Sequence, residues 1–274
     1  MILRPAVAVP ILIAACAYAA GRWRLRRRGG AASGWRLAAS ASGLLSIGIA
    51  LSTPVDRLAH ASFAAHMMQH LLLIAGAAPL LVLADPFAAL CWALPASVRQ
   101  GAARLLRTGG LLRGVWRLLT AASLAWLVHA AAVWLWHLPG AYDAVVADRL
   151  LHDVEHVAFL GTALLFWWPI VSPAPRLRKP PGYGVRVVYL LLAGLQTALL
   201  GLLLAMSPGA WYRAYPSTAD QSLGGLVMWG LGGAVDMLAV LILVGRYLAT
   251  QDRLAPETAE SRHIAARFVS GRKA

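Results

Sequence analysis

Apolar residues fill seven long stretches of the chain, roughly 2–21, 35–53, 63–84, 115–136, 151–171, 184–206 and 222–248, with polar or basic residues between them. Runs of about 18–25 apolar residues are long enough to cross a bilayer as helices. The pattern therefore predicts an all-α fold: a polytopic membrane helical bundle with seven transmembrane helices. Phe87 to Leu106 is a further, semi-apolar piece, interrupted by Arg99 and Arg104 and followed by Arg107. It predicts an amphipathic interfacial helix over about 87–107, an eighth crossing being the alternative. On this reading residues 1–250 form the seven-helix transmembrane domain and 251–274 a basic cytoplasmic tail.

Composition agrees with the pattern. The chain is 59% hydrophobic and 13% charged, with a mean hydropathy of +0.65, whereas soluble domains carry about a quarter charged residues. A formal charge of +14 would suggest a nucleic-acid partner in a soluble protein. Here the basic residues lie between apolar runs, where topology accounts for them, and no nucleic acid is expected. Two cysteines, Cys16 and Cys91, supply neither a disulfide framework nor a paired-thiol metal motif. Ile13 to Cys16 loosely resembles a lipoprotein cleavage box, and Ala17-Tyr18-Ala19 a signal-peptidase site. Arg22, Arg24, Arg26, Arg27 and Arg28 follow at once, which favours a retained span stopped on the cytoplasmic side.

Charge then orients the spans. Lys and Arg number six in 22–36, five in 85–117, four in 172–186 and six in 246–274, which is 21 of the 25. Arg4, Arg57, Arg149 and Arg213 are the other four, one in each intervening region. This alternation predicts the N-terminus outside and the C-terminus cytoplasmic.

That orientation sorts the chemistry. The connections expected outside, 54–70, 137–156 and 207–221, hold six of the eight histidines. His66 and His70 are four apart, as are His152 and His156, and residues at that spacing share a helix face. Asp148, His152, Glu155 and His156 make one polar stripe, and His137 ends the fourth span. Imidazole and carboxylate are ordinary ligands of Cu(II), Zn and Fe, and imidazole with thioether, as from Met67 or Met68, suits Cu(I). The candidate metal ligands are thus His66, His70, His137, His152 and His156. Asp143, Glu155, Met67 and Asp236 are candidates for outer partners that orient them. Within the bilayer stand His129, Gln196 and Asp236. An intramembrane carboxylate is either functional or a helix–helix hydrogen bond, and Gln196 is the partner expected for Asp236 by depth. Gly224-Gly225 and Gly232-Gly233 predict close helix approach. No phosphate loop, Gly-x-Ser-x-Gly elbow or His-Glu-x-x-His sequence occurs.

Four blocks resemble the polytopic CtaG family of cytochrome c oxidase assembly factors. They are His66-Met-Met-Gln-His70 with Ala78-Pro79 and Asp85-Pro86; Trp136-His137-Leu-Pro139 with Tyr142-Asp143; His152 to His156 with Phe166-Trp-Trp-Pro169; and Tyr215-Pro216 with Asp220-Gln221, Gly224-Gly225 and Met228-Trp229. Leu231 stands where the family pattern has Pro before the final Gly pair, which bears on a kink and touches no candidate ligand. The resemblance implies a multi-pass protein of the bacterial plasma (inner) membrane that assembles haem–copper oxidase, with oxidase subunits or other assembly factors as partners. It implies copper handling at the outer face through His66, His70, His137, His152 and His156, beside Asp143 and Glu155, and no enzymatic turnover. Two other readings of the residues stay open: a haem-binding electron carrier, and a zinc-dependent membrane hydrolase.

Overall fold

The computed structural model describes residues 3–29, 33–105 and 110–270. Arg107, at the end of the expected interfacial helix, and the side chains of the expected tail beyond Asp252 lie outside the described residues. Among the described residues the protein is all helical, with no strand and one isolated bridge between Leu3 and Ser52.

Helix α1 (Pro5–Arg27) and α2 (Gly34–Ala50) lead to a short surface helix, α3 (Thr53–Ala61). Span α4 (Phe63–Leu83) follows, then α5 (Pro86–Ala93), α6 (Ala96–Leu105), α7 (Leu111–Leu119) and α8 (Ala122–Trp136). Helix α9 (Pro139–Ala147) precedes the long spans α10 (Arg149–Val171) and α11 (Tyr183–Ala205). The last, α12, comprises Thr218–Val227, a π-helical turn at Met228–Gly232, and Gly233–Ser270.

Among the described residues five helices are long and apolar enough to cross a membrane: α1, α4, α10, α11 and the Thr218–Asp252 part of α12. The pair α7 and α8, bent by 65° at Thr120–Ala121, makes a sixth if it is one span. Sequence predicts seven. The difference lies in α2, whose 17 residues reach only about 25 Å at 1.5 Å per residue, short of a hydrocarbon core of about 30 Å. The expected helix over 87–107 is two pieces, because Pro95 cannot continue α5 and the chain turns at Leu94, which is extended. The expected tail continues α12 as helix to Ser270.

Span α4 is the centre of the bundle. Half of its most apolar window is buried against 11% for α1, and it packs against α2, α3, α10 and α12. It contains a π-helical turn at Leu72–Ala77. Such a turn frees carbonyls that lipid cannot satisfy. Neighbouring helices supply donors instead: Ser46 Oγ donates to the Leu72 carbonyl at 2.7 Å and Trp167 Nε1 to that of Ile74 at 3.3 Å. Around it Phe166, Trp167, Tyr189 and Leu190 form one buried cluster, and Phe63, Tyr142, Phe159 and Tyr212 another. Leu195, Leu203, Leu241 and Ile242 point outward, as expected where lipid is the solvent.

Of the two glycine pairs, Gly224-Gly225 brings helices together. A Cβ on Gly225 would lie 2.3 Å from the Gly201 carbonyl oxygen of α11, and one on Gly224 would lie 2.3 Å from Phe63 of α4. Gly233 has open space around it and Gly232 only ordinary contact distance, so the second pair does not do the same. Leu231 falls inside the π turn of α12.

At the far end of α4 the chain turns through Asp85, in the left-handed region at φ 51°. Its carboxylate pairs with Arg36 at 3.1 Å and accepts from the Ala174 amide at 2.9 Å. Arg24 donates to the Trp92 and Ala93 carbonyls nearby. Basic side chains thus gather at the Asp85 end of α4, and the histidines at its opposite end.

Candidate metal centre

The first turns of α4 and α10 build the centre. Ser62 caps α4, its Oγ accepting from the Ala65 amide, and Asp148 caps α10 by accepting from the Leu151 amide at 3.0 Å. Asp220 of α12 adds a second cap to α4 from outside. It accepts from Ser62 Oγ at 2.7 Å, from the Phe63 amide at 2.6 Å and from the Ala64 amide at 3.3 Å. With both helix starts fixed, the i,i+4 spacing turns His66 and His70 toward His152 and His156.

His66, His70, His152, Glu155 and His156 each place one ligand-type atom within 4.8 Å of those of all the others. None is more than 4% exposed. His66 Nε2 lies 3.1 Å from His152 Nε2 and 3.7 Å from Glu155 Oε2, and His70 Nε2 is 3.4 Å from the same oxygen. Two nitrogens bound at 2.0–2.1 Å to one tetrahedral ion would sit on the order of 3.3 Å apart. The donor set and its spacing fit a single transition-metal cation.

The hydrogen-bond inventory points the same way. Both ring nitrogens of His70, both of His156 and both oxygens of Glu155 are buried without a hydrogen-bond partner. The 3.4 Å approach of His70 to Glu155 is therefore proximity without hydrogen-bond alignment. Each buried unmade bond costs about 1–3 kcal/mol, and native interiors rarely leave them. A cation bound by one nitrogen of each ring and by the carboxylate would satisfy three or four of these six atoms at once.

The tautomer of His66 follows from its neighbours. Tyr215 donates its proton to the Ala59 carbonyl, so at His66 Nδ1, 3.1 Å away, its oxygen accepts. Tyr142 Oη is 2.9 Å from the same nitrogen. His66 Nδ1 thus carries the hydrogen and Nε2 faces the centre bare, the form a metal needs. Burial, then the neighbouring Tyr215 and Glu155, holds the Tyr142 phenol well above its ordinary pKa, and burial likewise raises Tyr215. Both stay protonated as orienting groups.

His137, expected among the ligands, stands beside the group of five. Its ring is 6.3 Å from that of His70. At the C-cap of α8 its Nδ1 donates to the Val133 carbonyl at 2.7 Å, and Nε2 lies 3.4 Å from Met67 Sδ. Burial lowers the His137 pKa below 6.5, so Nε2 is a bare acceptor facing a thioether that also cannot donate. Neither atom can donate to the other at 3.4 Å. Glu155, expected as an outer partner, lies inside the group of five itself. Asp143 lies outside it, accepting from the Ala214 amide at 3.2 Å to tie α9 to the 207–217 loop.

Asp236 does not make the expected bond to Gln196. Gln196 instead accepts from Trp134 Nε1 at 2.6 Å and donates to Thr197 Oγ1 at 2.8 Å. Asp236, Gln196, Thr197 and His129 line a cavity that reaches up to Met67, His70 and His137. His129 Nδ1 lies 3.1 Å from Thr162 Oγ1. Both π-helical turns contribute to the cavity wall, through Ile74 and Ala75 of α4 and Met228 and Gly232 of α12.

Sequence reasoning assigned no role to Tyr142, Tyr215 or Asp220, although all three lie in the motif blocks quoted above. A polar aromatic next to Pro or Asp at the expected membrane face was the available signal.

The family model described as cytochrome c oxidase caa3 assembly factor matches residues 16–250. The chain belongs to that family. All the residues of the buried centre and all its orienting tyrosines fall within the stretch that defines the assembly-factor family. An uncharacterized protein of Mycobacterium bovis is 29% identical over 264 residues, covering 92% of this chain and 40% of that protein. One of Mycobacterium tuberculosis matches to the same extent, and one of Mycobacterium leprae is 25% identical over 258 residues, covering 90% of this chain and 39% of its own length. The chain thus spans about two-fifths of the length of these relatives. No solved structure matches.

Proposed function

We propose that this protein handles copper at the outer face of the bacterial plasma membrane during the assembly of a haem–copper oxidase. The observation that carries the reading is the buried group of four imidazoles and one carboxylate, six of whose polar atoms have no hydrogen-bond partner. The affinity order of first-row metals favours copper at such nitrogen-rich sites. Met67 Sδ facing the bare His137 nitrogen adds ligands suited to Cu(I) in particular. The tight cluster leaves no plane for a porphyrin between its histidines, which weighs against haem. Copper is here a cargo, and the partners are oxidase subunits or other assembly factors.

The topology belongs to the same proposal. Counting α2 and the bent pair α7–α8 gives seven crossings, and the 21-to-4 partition of basic residues puts the N-terminus and the histidines outside. Alkaline phosphatase fused after Pro139 is expected to be active, and fused after Pro175 inactive. The reverse pattern would remove the outer-face assignment.

The metal reading is tested on purified protein by elemental analysis and an absorption spectrum from one preparation. Copper bound at about one ion per chain, without an intense Soret band, is the expected result. A stoichiometric haem, or zinc retained in preference to copper when both are offered, would overturn it.

A further inference from the structure

The buried centre poses a problem of access. All five members are buried, and the aromatic cluster of Phe63, Tyr142, Tyr212 and Tyr215 packs around one side. An ion from outside needs a first ligand that water can reach.

A second group of metal-type side chains, Asp56, His60 and His152, also has its ligand atoms within 4.8 Å of one another. His60 is exposed, Asp56 partly exposed and His152 buried, so the group forms a gradient from solvent to interior. Asp56 and His60 are four residues apart on the surface helix α3, which places them on one face. The His60 ring packs edge-on against that of His152, with centroids 5.2 Å apart. His60 Nδ1 is 2.8 Å from the Asp56 carbonyl. A carbonyl only accepts, so Nδ1 carries the hydrogen and Nε2 is left bare, the same device that prepares His66. Arg4, which feels the charge of Asp56, is paired with Asp153 at 2.7 Å, and the Asp56 carboxylate has no salt bridge of its own among the described residues.

His152 belongs to both groups. We infer that Asp56, His60 and His152 form an outward-facing capture site for a divalent transition-metal cation, which then passes to the buried centre by ligand exchange around His152. Asp56 and His60 release the ion as His66, His70, Glu155 and His156 take it up, and His152 holds it throughout. No bond other than metal–ligand bonds forms or breaks, and the ion keeps its oxidation state. The capture site stands on its own residues, whereas the transfer step rests on the proposed reading of the buried centre.

Copper(II) alone is the probe, followed by its visible absorption and electron paramagnetic resonance on the full chain in nanodiscs. The variant H70A/H156A, with the centre disabled, is expected to keep one weakly bound Cu(II) per chain. Adding H60A to it should abolish that signal. In the otherwise unaltered chain, H60A and D56N should each slow loading of the centre roughly tenfold or more, the lower end of what a charged liganding surface adds to an on-rate. Equal Cu(II) binding by the double and triple variants, or loading of H60A and D56N at the unaltered rate, overturns the capture site. If H70A/H156A binds as much Cu(II) as the unaltered chain, and as tightly, the buried centre falls while the capture site stands.

Discussion

Two carboxylates lie inside this bundle, Glu155 on α10 and Asp236 on α12, and their surroundings differ in kind. Glu155 is fully buried among four imidazoles, and neither oxygen has a hydrogen-bond partner. Asp236 sits on the wall of a cavity where Gln196 is engaged with Trp134 and Thr197, and His129 with Thr162, the unpartnered imidazole on that wall being His70. A buried acid is therefore not informative by itself. What distinguishes a metal site is the convergence of several unsatisfied acceptors on one point, and only Glu155 has that.

The sharpest way to break this contrast is to neutralise each acid in turn. Glu155→Gln should lower the copper affinity of the buried centre by more than the roughly 100-fold that loss of an outer partner costs. Isothermal titration of the purified variants measures it, and a residual affinity within tenfold of the original would place Glu155 with Asp236. A smaller effect is expected one layer out. Tyr215→Phe removes the group that orients His66 and should weaken binding about 10–100-fold without changing stoichiometry. Unchanged affinity in that variant would mean that His66 needs no such orientation.

Acidity separates the rim from the core in another way. The His137 pKa is lowered by burial, so above its unfolded value of 6.5 both folded and unfolded chains carry it neutral. As pH falls below 6.5 towards the depressed folded value, the unfolded chain takes up the proton first. Stability is then lost at up to about 1.4 kcal/mol per pH unit from this one group. Thermal melting in detergent between pH 7.5 and 5 should show the fall, and His137→Gln should make it shallower by the share of this one group. A slope that His137→Gln leaves intact assigns the loss to other groups. The smallest effect expected is that of Asp236→Asn, which should leave copper affinity at the centre unchanged within about twofold, since it lies outside the ligand group. A large loss would instead extend the site down the cavity.

Much of this was legible in the sequence, and the reasons are physical. Charge alternation placed the histidines on one side because basic residues resist translocation, and i,i+4 spacing put each pair on one helix face because a helix leaves no choice. Glu155 was legible as a neighbour of those pairs, but its rank as a ligand depends on the angle at which α4 meets α10. His137 looked equivalent to the other histidines, yet it follows the last turn of α8, where a free carbonyl at Val133 takes its Nδ1 hydrogen. The Asp236–Gln196 pair does not form because Trp134 on α8 donates to the Gln196 side chain and Thr197 accepts from it, and depth along the helices says nothing of such neighbours. The break at Leu94–Pro95 was readable from Pro95, whereas the 65° bend at Thr120–Ala121 has no Pro to announce it.

The contact between Asp220 and the start of α4 has a consequence in time. Asp220 is synthesised more than 150 residues after Ser62, yet it holds the first turn of the helix that bears His66 and His70. A cap of this kind contributes about 1 kcal/mol, and domains tend to order from the N-terminus as they emerge. Until Asp220 emerges the nascent chain carries His66 and His70 on a helix whose first turn has only the Ser62 cap. The clamp closes when the final span arrives, so a chain interrupted before residue 220 would display the right ligands without holding them ready. Arrival of α12 and full capping of α4 thus become one event.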